Sequence, residues 1–341
     1  MLKIASPFRG KKEVNALIEA GADELYCGYL PAQWKEKYTD LEFERKCGGG
    51  NFTDLKELRS AVDLAHKKNT PVYLALNGLY VNAQYPLLHK IIDQVETIDL
   101  DAFIVADMGL LLTLRKRNTR KKIHISTGGT VFNSQAVDFY RRLGASRIIL
   151  DRQTTLESMK TLAQKAVDIE FEVFIMDILC AYIDGFCTYL HTYSVDSVEN
   201  IKHKNLGKNK NIEILSLYDS ELTGDACCLK YSIQAYDAQL KKINNPYTKP
   251  IFFKHLTDGM ECGVCALHYI NRTKVASLKI VGRQYNLQRR LINTEFVRAC
   301  LDILEKDKNI SRQKYIQEVQ QLYRKNFNYK DKCRGNNCYY P

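Results

Sequence analysis

From residue 1 to about residue 176 the chain repeats one unit: a short apolar or β-branched run, then an amphipathic helical pattern. The runs are LKIAS (2–6), ELYCG (24–28), PVYLAL (71–76), AFIVAD (102–107), KIHIST (122–127), SRIIL (146–150) and IEFEVFI (169–175). An eighth, VASLKIVG (275–282), comes about a hundred residues later. Between them KEVNALIEAGA, TDLKELRSAVDLAHKKN, SQAVDFYRRLGA and TLESMKTLAQKAV carry apolar residues at helical spacing. Asn133/Ser134 and Thr154 are the expected N-caps of the last two, and Gly144 closes one of them.

Continuous apolar strands alternating with helices predict an α/β fold with a parallel sheet covered on both faces. Eight units predict a (β/α)8 TIM-like barrel with a cysteine-bearing insertion between strands 7 and 8. A doubly wound open sheet satisfies the same periodicity, because repetition alone does not reveal closure. In either case the functional face lies at the C-terminal ends of the strands. The expected organisation is strands 1–7 with their helices over 1–193 and the insertion over 194–274. Strand 8 and a closing helix follow over 275–310, then a tail over 311–341. A charged stretch from Trp34 to Gly50, ending in CGGG, interrupts the pattern and suits a loop over the mouth.

At 341 residues and 45% hydrophobic, the chain is long enough for one large barrel or two ordinary domains. No apolar run approaches the roughly 18 to 20 residues of a membrane span. The start, MLKIASPFRGKKEV, lacks a secretory layout. The expected location is therefore cytoplasmic. A net charge of +11 favours a polyanion such as RNA, or an anionic small molecule, as partner. The basic segments 115–122 and 202–210 would serve equally as solvated surface.

Candidate chemistry gathers around FEVFIMDILCAYIDGFCTYLHTY, Phe171 to Tyr193, which begins as a buried strand and ends with Cys180 and Cys187 on a loop. Further cysteines come in tight groups: Cys227 with Cys228, Cys262 with Cys265 (C-x2-C), and Cys333 with Cys338 (C-x4-C). In a reducing compartment such spacing points to metal ligands rather than disulfides, because thiolates are soft, anionic and easily brought together by turns. One site would take Cys180, Cys187, Cys228 and either Cys262 or Cys265. A second would combine Cys262, Cys265, Cys333 and Cys338 as a zinc knot. Spacing does not choose between zinc and an iron–sulfur cluster. Buried, unligated thiols are the plain alternative, which suits Cys300 and Cys27.

Polar residues at the strand ends are the candidates for acting on a substrate. His124, Asn133, Arg152 and Glu172 are candidate catalytic groups, and Ser126, Thr127 and Asp177 candidate binding groups. Arg152 would clamp a carboxylate in bidentate fashion, or else pair with a neighbouring acid. His124, inside an apolar strand, equally suits a satisfied core histidine. The sequence holds no HExxH, no G-x-S-x-G and no Cys–His–Asn signature, so hydrolysis has little chemical support; His191 near Cys187 is the nearest base in sequence.

The segment EVFIMDILCAYIDGFC resembles the signature of the U32 family of collagenase-like peptidases. IEAGADELYCG, NFTDLKELRSAVDLAHKKNTPVYLALN, DAFIVADMGLL, IHISTGGTVFNSQAVDFYRRLGASRIIL and SLKIVGR resemble that family in the same order. The resemblance implies a barrel-like fold and a [4Fe–4S] cluster on four cysteines. Cys180, Cys187 and Cys228 match the first three ligands, with Cys262 or Cys265 for the fourth. It further implies oxygen-independent hydroxylation of an RNA base or of an aromatic quinone precursor, with prephenate as hydroxyl donor. A homologous partner subunit is implied as well, because some members work as heteromeric pairs. Other members carry the older label of peptidase.

Overall fold

Eight parallel strands close on themselves. They are β1 (Lys3–Pro7), β2 (Glu24–Tyr29), β3 (Val72–Leu76), β4 (Ala102–Val105), β5 (Lys122–Ile125), β6 (Arg147–Ile149), β7 (Glu170–Met176) and β8 (Ser277–Ile280). Each pairs with the next, from Ala5↔Glu24 round to Ser277↔Glu172. The pairing Lys3↔Ser277 between β1 and β8 completes the ring. Closure excludes the open doubly wound sheet and establishes the TIM-like barrel. A two-residue strand, Asn51–Phe52, adds to the outer end of β2. The computed structural model describes residues 2–38, 50–166, 168–177, 183–187, 235–236, 239, 241–243, 261–327 and 338–340. Cys47, Cys180, His191, Cys227, Cys228 and Cys333 lie outside these residues.

The helices form where apolar residues recur every three or four positions. Helix α1 (Val14–Glu19) follows β1, and α2 (Leu55–His66) buries Leu58, Ala61, Val62 and Ala65 in one stripe. Then come α3 (Tyr85–Glu96), α4 (Met108–Lys116), α5 (Ser134–Arg142) and α6 (Leu156–Lys165). Side chains cap several of them: Asp54 accepts from Lys56 N–H, Asp107 from Leu110 N–H and Asn133 from Ala136 N–H. The cap of α6 is Thr155, one residue beyond the expected Thr154. The Thr154 N–H is instead bound to the Asp151 carbonyl in the turn leaving β6.

Beyond β7 the chain divides into two compact units, one of Met1–Cys187 with Gly259–Pro341, the other of Thr188–Asp258. The second unit contains an antiparallel pair, Ala235–Tyr236 with Lys242–Ile243. In the first, a short helix α7 (Leu267–Ile270) leads to β8. Helix α8 (Leu287–Lys306) and helix α9 (Arg312–Phe327) come next, joined by ring contacts among Phe296, Tyr323 and Phe327. Among the described residues no helix is long and apolar enough to cross a membrane.

Candidate active site at the barrel mouth

The inside of the barrel is charged. Glu24 opens β2, Arg147 opens β6, Glu172 lies in β7 and Lys279 in β8, set among largely apolar strands. Arg147, 1% exposed, donates to both Glu24 carboxylate oxygens at 2.6 and 2.8 Å, to Glu172 at 2.9 Å and to Glu170 at 2.8 Å. Lys279 Nζ reaches the other Glu172 oxygen at 2.6 Å, and the Ser277 hydroxyl donates to Glu24 at 2.8 Å. Such charges are tolerated only because each is paired and hydrogen-bonded. Burial alone would raise the Glu24 carboxyl, but hydrogen bonds and charge from Arg147, helped by Ser277 and Lys3, hold it down at about 2. Burial pushes the Lys279 ammonium down despite the opposing Glu172. Aromatic faces complete the cage: Arg147 lies over Tyr73 at 5.2 Å and Lys279 over Tyr26 at 3.9 Å.

His124, on β5, sits against the Tyr73 ring at 4.6 Å. Burial, reinforced by the Arg147 charge, keeps its imidazole well below the ordinary histidine value, so it is neutral near pH 7. Its Nδ1 is buried with no hydrogen-bond partner among the described residues.

At the mouth, three strand ends meet. After β5 the chain makes a turn over Thr127–Gly129, with Ser126 and Thr127 buried. A second turn, Asp184–Phe186, packs against it and delivers Cys187. Gly185 permits that approach, since a Cβ there would come within 2.8 Å of the Gly128 carbonyl oxygen. Arg152, just past β6, forms an ion pair with Asp184 and stacks over Phe174 of β7 at 4.0 Å. Asp151 accepts from the Asp184 N–H at 3.2 Å and from Gln153 N–H at 2.9 Å, so the turn before Cys187 is held by side chain and backbone together.

The end of β7 is pinned differently. Asp177 adopts a left-handed backbone, φ 64°, and its buried carboxylate accepts from Arg289 at 2.5 Å and from Asn293, both on α8. Beside it Cys262 bridges antiparallel to Met176 and parallel to Cys338. Cys265 follows one turn later, on the side of the outer core that also holds Cys300 and Tyr315. The Cys262–Cys338 ladder carries the tail residues Tyr339 and Tyr340 into the aromatic and small-residue cluster inside the barrel. The Tyr339 ring stacks parallel to Phe174 at 6.5 Å and its hydroxyl donates to the Asp177 carbonyl. Tyr340 donates to the Phe174 carbonyl at 2.6 Å.

The structure therefore brings Arg152, Ser126, Thr127 and Cys187 to one mouth. His124 and Glu172 lie within the barrel, Glu172 committed to Arg147 and Lys279. Asn133 stands at the start of α5, where its side chain is the helix cap. Asp177 is turned toward α8. Cys262 is grouped with Cys338. Sequence reasoning missed Arg147, Glu24, Lys279, Asp184, Tyr339 and Tyr340. The first three had a signal, a lone charge inside each of the runs SRIIL, ELYCG and VASLKIVG. Asp184 stood between the two cysteines, and the Tyr-Tyr pair in an aromatic tail.

The model of "Peptidase family U32" matches residues 10–332. The chain belongs to peptidase family U32. Among its relatives, the "Uncharacterized protease MJ0090" of Methanocaldococcus jannaschii is 30% identical over 197 residues, 57% of this chain and 44% of that protein. The "tRNA hydroxylation protein P" of Helicobacter pylori is 27% identical over 186 residues, 54% of this chain and 42% of that one. The "23S rRNA 5-hydroxycytidine C2501 synthase" of Escherichia coli is 25% identical over 190 residues, 56% of this chain and 26% of its own length. This U32 chain thus spans less than half the length of each. Among solved structures the "U32 Peptidase Mk0906" aligns with a TM-score of 0.45 at 12% identity, over 83% of this chain and 94% of that one.

Proposed function

We propose that this U32 protein is an iron–sulfur-dependent enzyme of oxygen-independent hydroxylation, acting on an RNA base. The observation that carries the reading is the position of Cys187, on a braced turn at the strand ends where barrels perform chemistry. Its support from kinship is that relatives are named for tRNA and rRNA hydroxylation. Cys180, Cys187 and Cys228, with Cys262 or Cys265, would hold the [4Fe–4S] cluster; the Cys187 thiol is a soft donor, half-buried, at a strand-end position that suits such a group. When bound, the cluster supplies one-electron redox chemistry. Around it, Ser126 and Thr127 offer hydroxyls to orient a substrate, and the neutral His124 offers an unpaired ring nitrogen deeper in the barrel. Prephenate as hydroxyl donor is part of the same proposal, its carboxylates matched by the net positive charge of the chain.

The runner-up is hydrolysis, which the relative named as a protease favours. It is the weaker reading, because a cysteine ligating a cluster is not a free nucleophile.

The test is a comparison of RNA nucleosides by mass spectrometry from cells with and without the gene, grown without oxygen. The expected result is the loss of one hydroxylated pyrimidine in the deletion and its return on complementation. Identical profiles would contradict the reading. Purified protein should also bind total tRNA with an affinity that falls steeply between 50 and 200 mM salt, by about tenfold or more for a few phosphate contacts. Salt-independent binding would speak against an RNA substrate.

A further inference from the structure

Arg152 touches more of the mouth than a substrate clamp needs to. Its guanidinium pairs with Asp184 in the turn that precedes Cys187. It covers the face of Phe174 in β7. The same Phe174 ring carries the ring of Tyr339, next to Cys338, stacked parallel to it at 6.5 Å. Only 9% of the residue is exposed, so little of it is left to greet a ligand from solvent. Tyr339 in turn spends its proton on the Asp177 carbonyl at the end of β7. One planar cation thus joins the end of β6, the interior of β7 and the cysteine-bearing turn, and Phe174 links it to the C-terminal tail. The tail residues involved, Tyr339 and Tyr340, lie beyond the region matched by the family model, which stops at residue 332.

We propose that Arg152 and Tyr339 are positioning residues for the metal ligand Cys187, and that the C-terminal tail is a working wall of the cluster site. The inference rests on the iron–sulfur reading of Cys187. The physical argument is one of restraint. The Asp184–Phe186 turn is a single short turn, whose stiffness comes from outside contacts: Asp151 on its backbone, the Gly128 carbonyl against Gly185, and Arg152 on its carboxylate. A guanidinium holds geometry because its donors form a rigid fork. Here the fork holds the Asp184 carboxylate while its plane rests on Phe174, and Phe174 is in turn held by the stacked Tyr339 ring. Removing the Tyr339 hydroxyl frees the ring from its anchor on the Asp177 carbonyl, so Phe174, Arg152 and the turn gain room to move. Groups that orient a ligand from outside typically alter metal affinity about 10- to 100-fold when they are lost.

The experiment uses the full chain, purified anaerobically, in wild-type form and as Arg152→Gln, Tyr339→Phe and Cys187→Ala. Three readouts are taken: iron and sulfide per chain, the electron paramagnetic resonance spectrum after reduction, and the rate of iron loss to a chelator. Arg152→Gln is expected to lose iron about tenfold faster, with shifted g values. Tyr339→Phe keeps the ring stack and the fold, and is expected to shift in the same direction by a smaller factor. It decides the matter should Arg152→Gln not fold. If both variants match wild type in spectrum and chelation rate while Cys187→Ala loses its iron, the positioning role is overturned and the cluster reading stands. If Cys187→Ala keeps its iron, the cluster reading fails and the positioning role falls with it.

Discussion

Arg147 holds its charge inside the barrel by dividing its donors among Glu24, Glu170 and Glu172. Arg147→Met would take the shared cation from two fully buried carboxylates, leaving Glu172 to Lys279 and Glu24 to Lys3 and Ser277 alone; breaking a buried pair in this way typically costs about 3–5 kcal/mol. Urea unfolding should show that loss, and a midpoint within error of wild type would contradict the pairing. The same layer sets an acid limit. Glu24 falls from 4.5 to about 2 on folding, so its contribution is present above pH 4.5 and is lost as pH drops from 4.5 toward 2. His124 is held below its unfolded 6.5, so the folded state resists its protonation and stability begins to fall as pH drops below 6.5. Chemical denaturation from pH 7 down toward pH 2 should therefore show two successive declines, the first below pH 6.5 and the second below pH 4.5, and His124→Phe should remove the upper one. A profile that is flat between pH 7 and 5 in wild type would contradict the neutral, buried imidazole.

At the scale of elements, the strands were legible because a strand buried on both faces is written as an unbroken apolar run, and all eight runs became barrel strands. The helices were legible from their stripes, and Asn133 and Gly144 from their capping chemistry. Ring closure was not legible, since the Lys3↔Ser277 pairing joins residues at opposite ends of the chain. Nor was the packing of the Asp184–Phe186 turn on the Thr127–Gly129 turn, which depends on contacts between segments nearly sixty residues apart. Gly185→Ala tests that docking. The added methyl would press on the Gly128 carbonyl, so the turn should detach while the barrel persists. Circular dichroism should stay close to wild type, and bound iron should fall by more than half if the turn carries a cluster ligand. Full iron retention would show that the turn does not need its seat.

Across the whole molecule, the candidate site was half legible. The sequence pattern marked Cys187 and Arg152, because both stand out against the apolar strands. Of the two roles expected for Arg152, the structure shows the pairing with an acid, which is Asp184 on the turn before Cys187. Asn133, a candidate both as cap and as catalytic group, serves as the helix cap, and the candidate catalytic Glu172 is sealed between Arg147 and Lys279. The family model spans residues 10–332, which take in seven of the eight barrel strands. The net charge of +11 agrees with an anionic partner, which the salt dependence of tRNA binding measures directly.

The most direct measurement of the central claim is the metal and sulfide content of the full chain purified without oxygen, set beside Cys187→Ala. The account predicts a brown wild-type protein with about four iron and four sulfide per chain, and a Cys187→Ala variant that has lost most of both. Colourless wild-type protein, or a variant with its iron intact, would contradict it.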